Sequence, residues 1–178
     1  MKKIFIILLI ATIKLYSAPV DDKTFVHVLE IAKSENVPAS IAAGQLLEES
    51  GDKKSGSRGD FSVKSKKPED DEGYYSESGF QIYMNPEKNL NWLLDMFWYG
   101  FGETEEFDVY NYVHNTKLAM RYMSYLHKTY GSWFLAACYY NCGPPGIDYK
   151  TKKPKTKKIP EMSKIYAMNI ISYPEPEL

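Results

Sequence analysis

Apolar positions along this chain recur mostly at helical spacing. From Asp22, the residues Phe25, Val28, Leu29 and Ala32 fall on one helical face, Asp21 or Asp22 can cap its start, and Asn36 with Pro38 ends it. Pro38 suits the first turn of a second helix, and Gly51 stands where a left-handed cap is wanted. Between them, at about 100° per residue, Ala39, Ala42, Ala43, Leu46 and Leu47 share a face. Asn85-Pro86-Glu87 opens a third helix with the stripe Leu90, Leu93, Leu94, Phe97 and Phe101, flanked by Trp92 and Trp98 and ended near Gly100 and Gly102. Asn115 is expected to cap a fourth, in which Leu118, Tyr122, Tyr125 and Leu126 share a face and which Gly131 closes. Ser132 then leads into Trp133 to Asn141, an almost wholly apolar run that predicts a central helix, stopped by Gly143-Pro144-Pro145-Gly146. Pro160 opens a last helix carrying Met162, Ile165, Tyr166 and Met168, which Pro174 stops. No segment alternates with period two, so the pattern predicts a mainly α single domain with long loops.

Three stretches break the periodicity. Residues Asp52 to Ser78 hold Gly, Ser, Lys and the acidic run Glu69-Asp70-Asp71-Glu72, which reads as a long loop, functional or a solvated insertion, drawn in at its ends by Gly51 and by Gly79-Phe80-Gln81. Lys150 to Lys158 is a basic, Pro-containing strip that reads as a solvated loop, and Glu103 to Asp108 is acidic and expected to be exposed.

Composition narrows the class. With 178 residues, 44% hydrophobic and 15% aromatic, the chain can bury one core but not comfortably two. Residues 1–18 differ from the rest: Lys2 and Lys3, an apolar run from Ile4 to Ile13, then Ser17 and Ala18. They read as an export signal, too short to span a bilayer, which leaves residues 19–178 as the mature domain in the periplasm or cell envelope. If uncleaved, the same segment would tether the protein to a membrane. Its removal takes away three lysines and no acid and lowers the formal charge from -1 to -4, so nucleic acid is not expected as a partner.

Candidate chemistry gathers at helix ends. Glu49 lies at the edge of the second helix's apolar face, in its last turn, where partial burial and the negative end of the helix dipole disfavour the carboxylate; Glu48 should point to water. Periodicity alone fits an ordinary surface pair of glutamates better. Tyr140 and Asn141 end the apolar helix just before the Gly-Pro turn, which places polar groups beside a cleft or merely satisfies the local backbone. Cys138 and Cys142 are four apart, near the limit of disulfide geometry, and their redox state stays open. His27, His114 and His127 share no ligand spacing with them, so neither a metal site nor a cofactor is expected.

The order of these segments resembles the lytic murein transglycosylases, over roughly the whole mature chain. Glu49-Ser50-Gly51 is similar to that family's Glu-Ser-(Gly or Ala) motif. Gly79-Phe80-Gln81-Ile82-Tyr83-Met84-Asn85-Pro86 resembles its segment of Gly, two residues, Gln and a short apolar run to Pro, shortened by one before Gln81, and Tyr139-Tyr140-Asn141-Cys142-Gly143 its Ala-Tyr-Asn-Ala-Gly. Ala119-Met120-Arg121-Tyr122-Met123, Tyr130-Gly131-Ser132-Trp133 and the tail from Ile159 to Ala167 are similar to further family segments, the tail to the branch of membrane-bound lytic murein transglycosylase D. Lys158 stands where that branch carries a tyrosine, and the loop before Gln81 is longer than the family's.

The resemblance implies a lysozyme-like fold acting on peptidoglycan glycan strands. It implies cleavage between N-acetylmuramic acid and N-acetylglucosamine without water, leaving a 1,6-anhydro end. Glu49 would be the single acid and base, Gln81, Tyr140 and Asn141 would bind substrate, and Ser50 would support the helix end. A goose-type lysozyme-like hydrolase, or a non-catalytic cell-wall binding or scaffold protein of the same fold, are the competing readings.

Overall fold

A computed structural model describes residues 20–52, 57–65, 73–144 and 158–177. The expected leader, the acidic run Glu69 to Glu72 and the basic strip up to residue 157 lie outside the described residues.

Among the described residues, six α-helices carry the domain. In α1 (Asp22–Ser34) the Asp21 carboxylate accepts from Thr24 N at 2.7 Å, the expected cap, and the predicted face is buried together with Ile31. The chain then turns at Asn36, in the left-handed region with φ 63°, and Pro38 precedes α2 (Ala39–Ser50). The buried face of α2 is wider than expected, running from Ile41 to Leu46, because α1 covers one side and the last helix the other. Gly51 is extended, with φ -78° and ψ 164°, and not the left-handed cap expected. Glycine is needed there for space and not for a left-handed φ: a Cβ would lie 2.5 Å from Leu47 Cδ1 and 2.7 Å from the Leu47 carbonyl oxygen.

A short antiparallel hairpin follows, β1 (Ser76–Glu77) and β2 (Ile82–Tyr83), with Ser76 opposite Tyr83 and Glu77 opposite Ile82. Two residues per strand are too few to show alternation, so the pattern could not predict it. After a π-helical turn over Pro86–Leu90 come α3 (Asn91–Phe97) and a 3₁₀ turn over Tyr99–Phe101. Leu93, Phe97 and Trp98 are buried, whereas Phe101, expected on the stripe, is exposed with the Arg121 guanidinium over its ring.

The long α4 (Tyr112–Tyr130) forms the centre, with Leu118, Ala119, Met120, Met123 and Leu126 wholly buried. Its cap is Asn111, which accepts from Val113 N at 3.0 Å, not Asn115. Asn115 sits one turn inside, fully buried, where its amide has another task described below. Arg121 on the same helix is also buried, donating to Glu35 at 2.9 Å, to Glu103 at 2.8 Å and to the Phe97 carbonyl at 3.1 Å. That cluster ties α1 and the segment after α3 to α4, and it draws Glu103 inward from the exposed position expected.

Gly131, at φ 72°, closes α4, and Ser132 caps α5 (Trp133–Cys142), which packs between α4 and α6 (Glu161–Ile171). Cys138 is buried and Cys142 half-buried, and burial pushes the Cys138 thiol up to about 11. The last helix turns outward the apolar residues that marked it, Met162, Ile165 and Met168, and buries Ser163, Ala167 and Ile170 instead. The reason lies in α2. A Cβ at Gly44 would stand 2.8 Å from the Ile170 carbonyl oxygen and 2.9 Å from Tyr173 Cβ, so α6 approaches backbone to backbone with its small-residue side.

Gly44→Ala should therefore force the two helices apart, at a cost of about 1–3 kcal/mol for overpacking. Thermal unfolding is expected to show a Tm several degrees lower; an unchanged Tm would mean that α6 yields freely there.

Candidate active site

Glu49 stands in the last turn of α2 and opens onto a cleft of about 580 Å³. The hairpin supplies one wall through Ser76, Gln81, Ile82 and Tyr83, and Asn89 and Leu93 lie on the α3 side. Leu118 and Tyr122 of α4 also line it, with Tyr140 and Asn141 at the end of α5. Glu49, Gln81, Tyr140 and Asn141, far apart in the sequence, thus line one cavity. Glu48 is not among the lining residues; the residue is half-buried, and its Oε2 accepts from Asn169 Nδ2 of α6 at 3.2 Å on the exposed side. Ser50 is not on the wall either. Its hydroxyl donates to the Leu46 carbonyl at 3.3 Å and accepts from Asp60 N at 3.0 Å, which joins the end of α2 to the chain passing beneath.

The backbone at Gln81 is unusual. Gln81 has φ 48° and Ser78 φ 67°, both in the left-handed region that side chains other than glycine adopt at a cost of order 1–3 kcal/mol each. Phe80, wholly buried between them, is clamped on both sides of its peptide groups: its N–H donates to Asn115 Oδ1 and its carbonyl accepts from the Tyr140 hydroxyl, both at 3.0 Å. The Gln81 side chain donates to the Ser78 carbonyl at 2.8 Å. Behind the turn, Gly79 leaves room for Phe61, whose Cε1 a Cβ would meet at 2.6 Å. The clamp explains why Asn115 is buried inside α4 and does not cap it.

Tyr140 and Asn141 therefore bond to protein as well as facing the cleft. The Tyr140 hydroxyl holds the hairpin turn, and Asn141 Oδ1 accepts from Ser163 Oγ of α6 at 2.8 Å.

Sequence reasoning missed a hydrogen-bond partner of Glu49. The Tyr166 hydroxyl, from α6, donates to Glu49 Oε1 at 2.5 Å. Burial first, and the Glu49 charge second, raise the phenols of Tyr166 and Tyr140 well above the ordinary tyrosine range. Both therefore remain protonated donors through neutral pH. The signal for Tyr166 was present as Ser163, Tyr166 and Asn169, three polar residues three apart. It competed with Met162, Ile165 and Met168, an equally regular apolar set that a helix normally turns inward.

The comparison with known families can now be set beside this geometry. Residues 76–163 match the family model of the transglycosylase SLT domain. No curated protein and no solved structure matches the chain. The transglycosylase SLT match runs from the hairpin to the first turn of α6 and contains Gln81, Tyr140 and Asn141, whereas Glu49 and Ser50 precede it. It supports the lytic transglycosylase family, and the fold is mainly α and lysozyme-like as the resemblance implied. Among the described residues no group of three His, Cys, Asp or Glu is placed to hold a metal ion.

The clamp at Phe80 has a direct test. Tyr140→Phe and Asn115→Ala each remove one hydrogen bond, worth about 0.5–1.5 kcal/mol net, and both are expected to speed amide exchange at residues 78–83 while leaving α1 protected. Uniform acceleration over the whole domain would show that the clamp is not local. The phenols give a pH dependence. Because burial raises Tyr140 and Tyr166 well above the ordinary tyrosine range, the unfolded chain loses these phenolic protons first. Their stabilisation is complete below the unfolded value of about 10 and is lost as pH rises through the folded values. Tm is thus expected to fall from about pH 10 upward; a flat profile there would contradict the burial of these hydroxyls.

Proposed function

We propose that the protein is a peptidoglycan lytic transglycosylase in which Glu49 serves as both acid and base. The observation that carries this reading is that Glu49 shares one cleft with Gln81, Tyr140 and Asn141, three residues inside the segment that matches the transglycosylase SLT domain. The substrate would be the β-1,4 bond between N-acetylmuramic acid and N-acetylglucosamine in a glycan strand. The protonated Glu49 carboxyl gives its proton to the glycosidic oxygen as the bond from that oxygen to the anomeric carbon breaks. The resulting carboxylate then takes the proton of the muramic 6-hydroxyl while that oxygen bonds to the same carbon. One carboxyl group is enough because no water has to be activated, in contrast to the paired carboxylates of most glycosidases. General acid and base catalysis of this kind is worth about 10²–10⁴ in rate.

Gln81 would meet the sugar from the hairpin side, and Tyr140 and Asn141 would face its acetamido group from the end of α5, with Ser50 supporting the helix end. The likeness of the segment from Ile159 to Ala167 favours the branch of membrane-bound lytic murein transglycosylase D. Residues 1–18 would direct export to the periplasm or cell envelope, where the substrate lies, and would tether the protein there if retained.

Product analysis separates this reading from its neighbours. Digestion of whole peptidoglycan is expected to release muropeptides with 1,6-anhydro ends, lighter by one water than reducing ends. Glu49→Gln should abolish release and Glu48→Gln should be tolerated. Reducing ends would assign the protein to a hydrolase, and binding without release would leave a cell-wall binding protein.

A further inference from the structure

Gln45 is wholly buried in α2, beside Ile41, Ala42, Ala43, Gly44 and Leu46, which are apolar throughout. Among the described residues neither its Nε2 nor its Oε1 has a hydrogen-bond partner. An amide left so in the core is destabilising, and leucine would fill the same place without that cost. Glu49 follows four residues later on the same helix, so the two side chains leave α2 on the same side, one turn apart. Gln45 meets Tyr140 there. Its amide acts on the phenol as a hydrogen-bond donor and draws it down, against the larger upward push of burial and of the Glu49 charge.

Tyr140 has one proton and two acceptors that compete for it. One is the Phe80 carbonyl, met at 3.0 Å from the hairpin side. The other is the Glu49 carboxylate, whose charge bears on the phenol from α2. A phenol keeps its proton in the ring plane, so a donor on one side of the oxygen leaves the proton only the other side. We propose that Gln45 is a positioning residue, whose Nε2 donates to the Tyr140 oxygen from α2 and so aims the Tyr140 proton at the Phe80 carbonyl and away from Glu49. This rests on the assignment of Glu49 as the acid and base. The turn that displays Gln81 thereby keeps its bond, and Glu49 is spared a second phenol donor beside Tyr166. A second donor would favour the carboxylate further, and a carboxyl that holds its charge too firmly is a poor acid. Gln45 is not among the residues lining the cleft, so it acts through Tyr140 and not on the substrate. The other titratable groups that face Glu49 and Tyr140, among the described residues, are Glu48 from α2, Tyr122 from α4 and Tyr166 from α6.

The test uses the full chain with Gln45→Leu and Gln45→Met, each alone and together with Tyr140→Phe. It reads kcat on soluble glycan strands, amide exchange at residues 78–83, and the Glu49 carboxyl carbon shift in a pH titration by NMR. Both substitutions remove the amide, and methionine keeps the length of the side chain should leucine pack badly. Each is expected to free the Tyr140 proton to turn to Glu49. The Glu49 titration then moves to lower pH, with the alkaline limb of kcat/KM that follows it, and exchange at residues 78–83 quickens. A loss of about threefold to tenfold in kcat, the scale of one hydrogen bond, should accompany the shift. In the Tyr140→Phe background neither substitution should move the Glu49 titration further, because no proton remains to be aimed. An unmoved Glu49 titration in the single variants, whatever their Tm, would overturn the proposal and leave Gln45 a buried amide with no task at the site. So would a shift of the same size with and without the Tyr140 hydroxyl. The titration and the exchange need no turnover, so they distinguish this failure from failure of the Glu49 assignment, which an active Glu49→Gln protein would reveal.

Discussion

The close approach of α2 to α6 at Gly44 is the contact on which the rest of the cleft depends. With no side chain there, the two backbones come so near that a methyl group would stand 2.8 Å from the Ile170 carbonyl oxygen. That spacing sets the register of α6 along α2: Ile170 and Ala167 are buried, and one turn earlier Tyr166 reaches Glu49. Had α2 carried alanine at this position, the more regular apolar side of α6, Met162, Ile165 and Met168, would compete to face inward. The helix has a polar side that is worth burying only because α2 and α5 end in hydrogen-bonding partners for it.

The opposite wall of the cleft is held by a different means. Gln81 is displayed from a turn whose two left-handed residues are costly by themselves, and the turn persists because Phe80 is buried and bonded on both sides, by Asn115 from α4 and Tyr140 from α5. One tyrosine thus belongs to both walls: Tyr140 lines the cavity and anchors the turn, and the Glu49 charge helps to keep its hydroxyl protonated. The cleft is assembled by buried hydrogen bonds between elements far apart in sequence, a construction in which loss of one partner leaves another unsatisfied.

Much of the helix plan was legible in the sequence, because capping and apolar spacing act locally. Asp21, Pro38, Gly131, Ser132 and Pro160 mark helix ends as their chemistry requires. The failures share a cause. Gly51 and Asn115 fit the local rule for caps, but Gly51 answers to a crowded Leu47 and Asn115 to the backbone of Phe80, thirty-five residues away. The hairpin was too short to print a period, and α6 offered two stripes between which only its tertiary partners decide. The candidate site was legible in part: motif likeness brought out Glu49, Gln81, Tyr140 and Asn141, and they do line one cavity, but the likeness of the tail from Ile159 to Ala167, although it includes Tyr166, gave that tyrosine no place beside Glu49.

The central claim is that the spacing set at Gly44 is what lets α6 act on Glu49, and a double-mutant cycle of Gly44→Ala with Tyr166→Phe, read as kcat on glycan strands, tests it most directly. If the claim holds, Tyr166→Phe lowers kcat in the natural background but adds almost nothing once Gly44→Ala has displaced the helix, so the two effects are strongly non-additive. Additive losses, with Tyr166→Phe costing the same in both backgrounds, would contradict it.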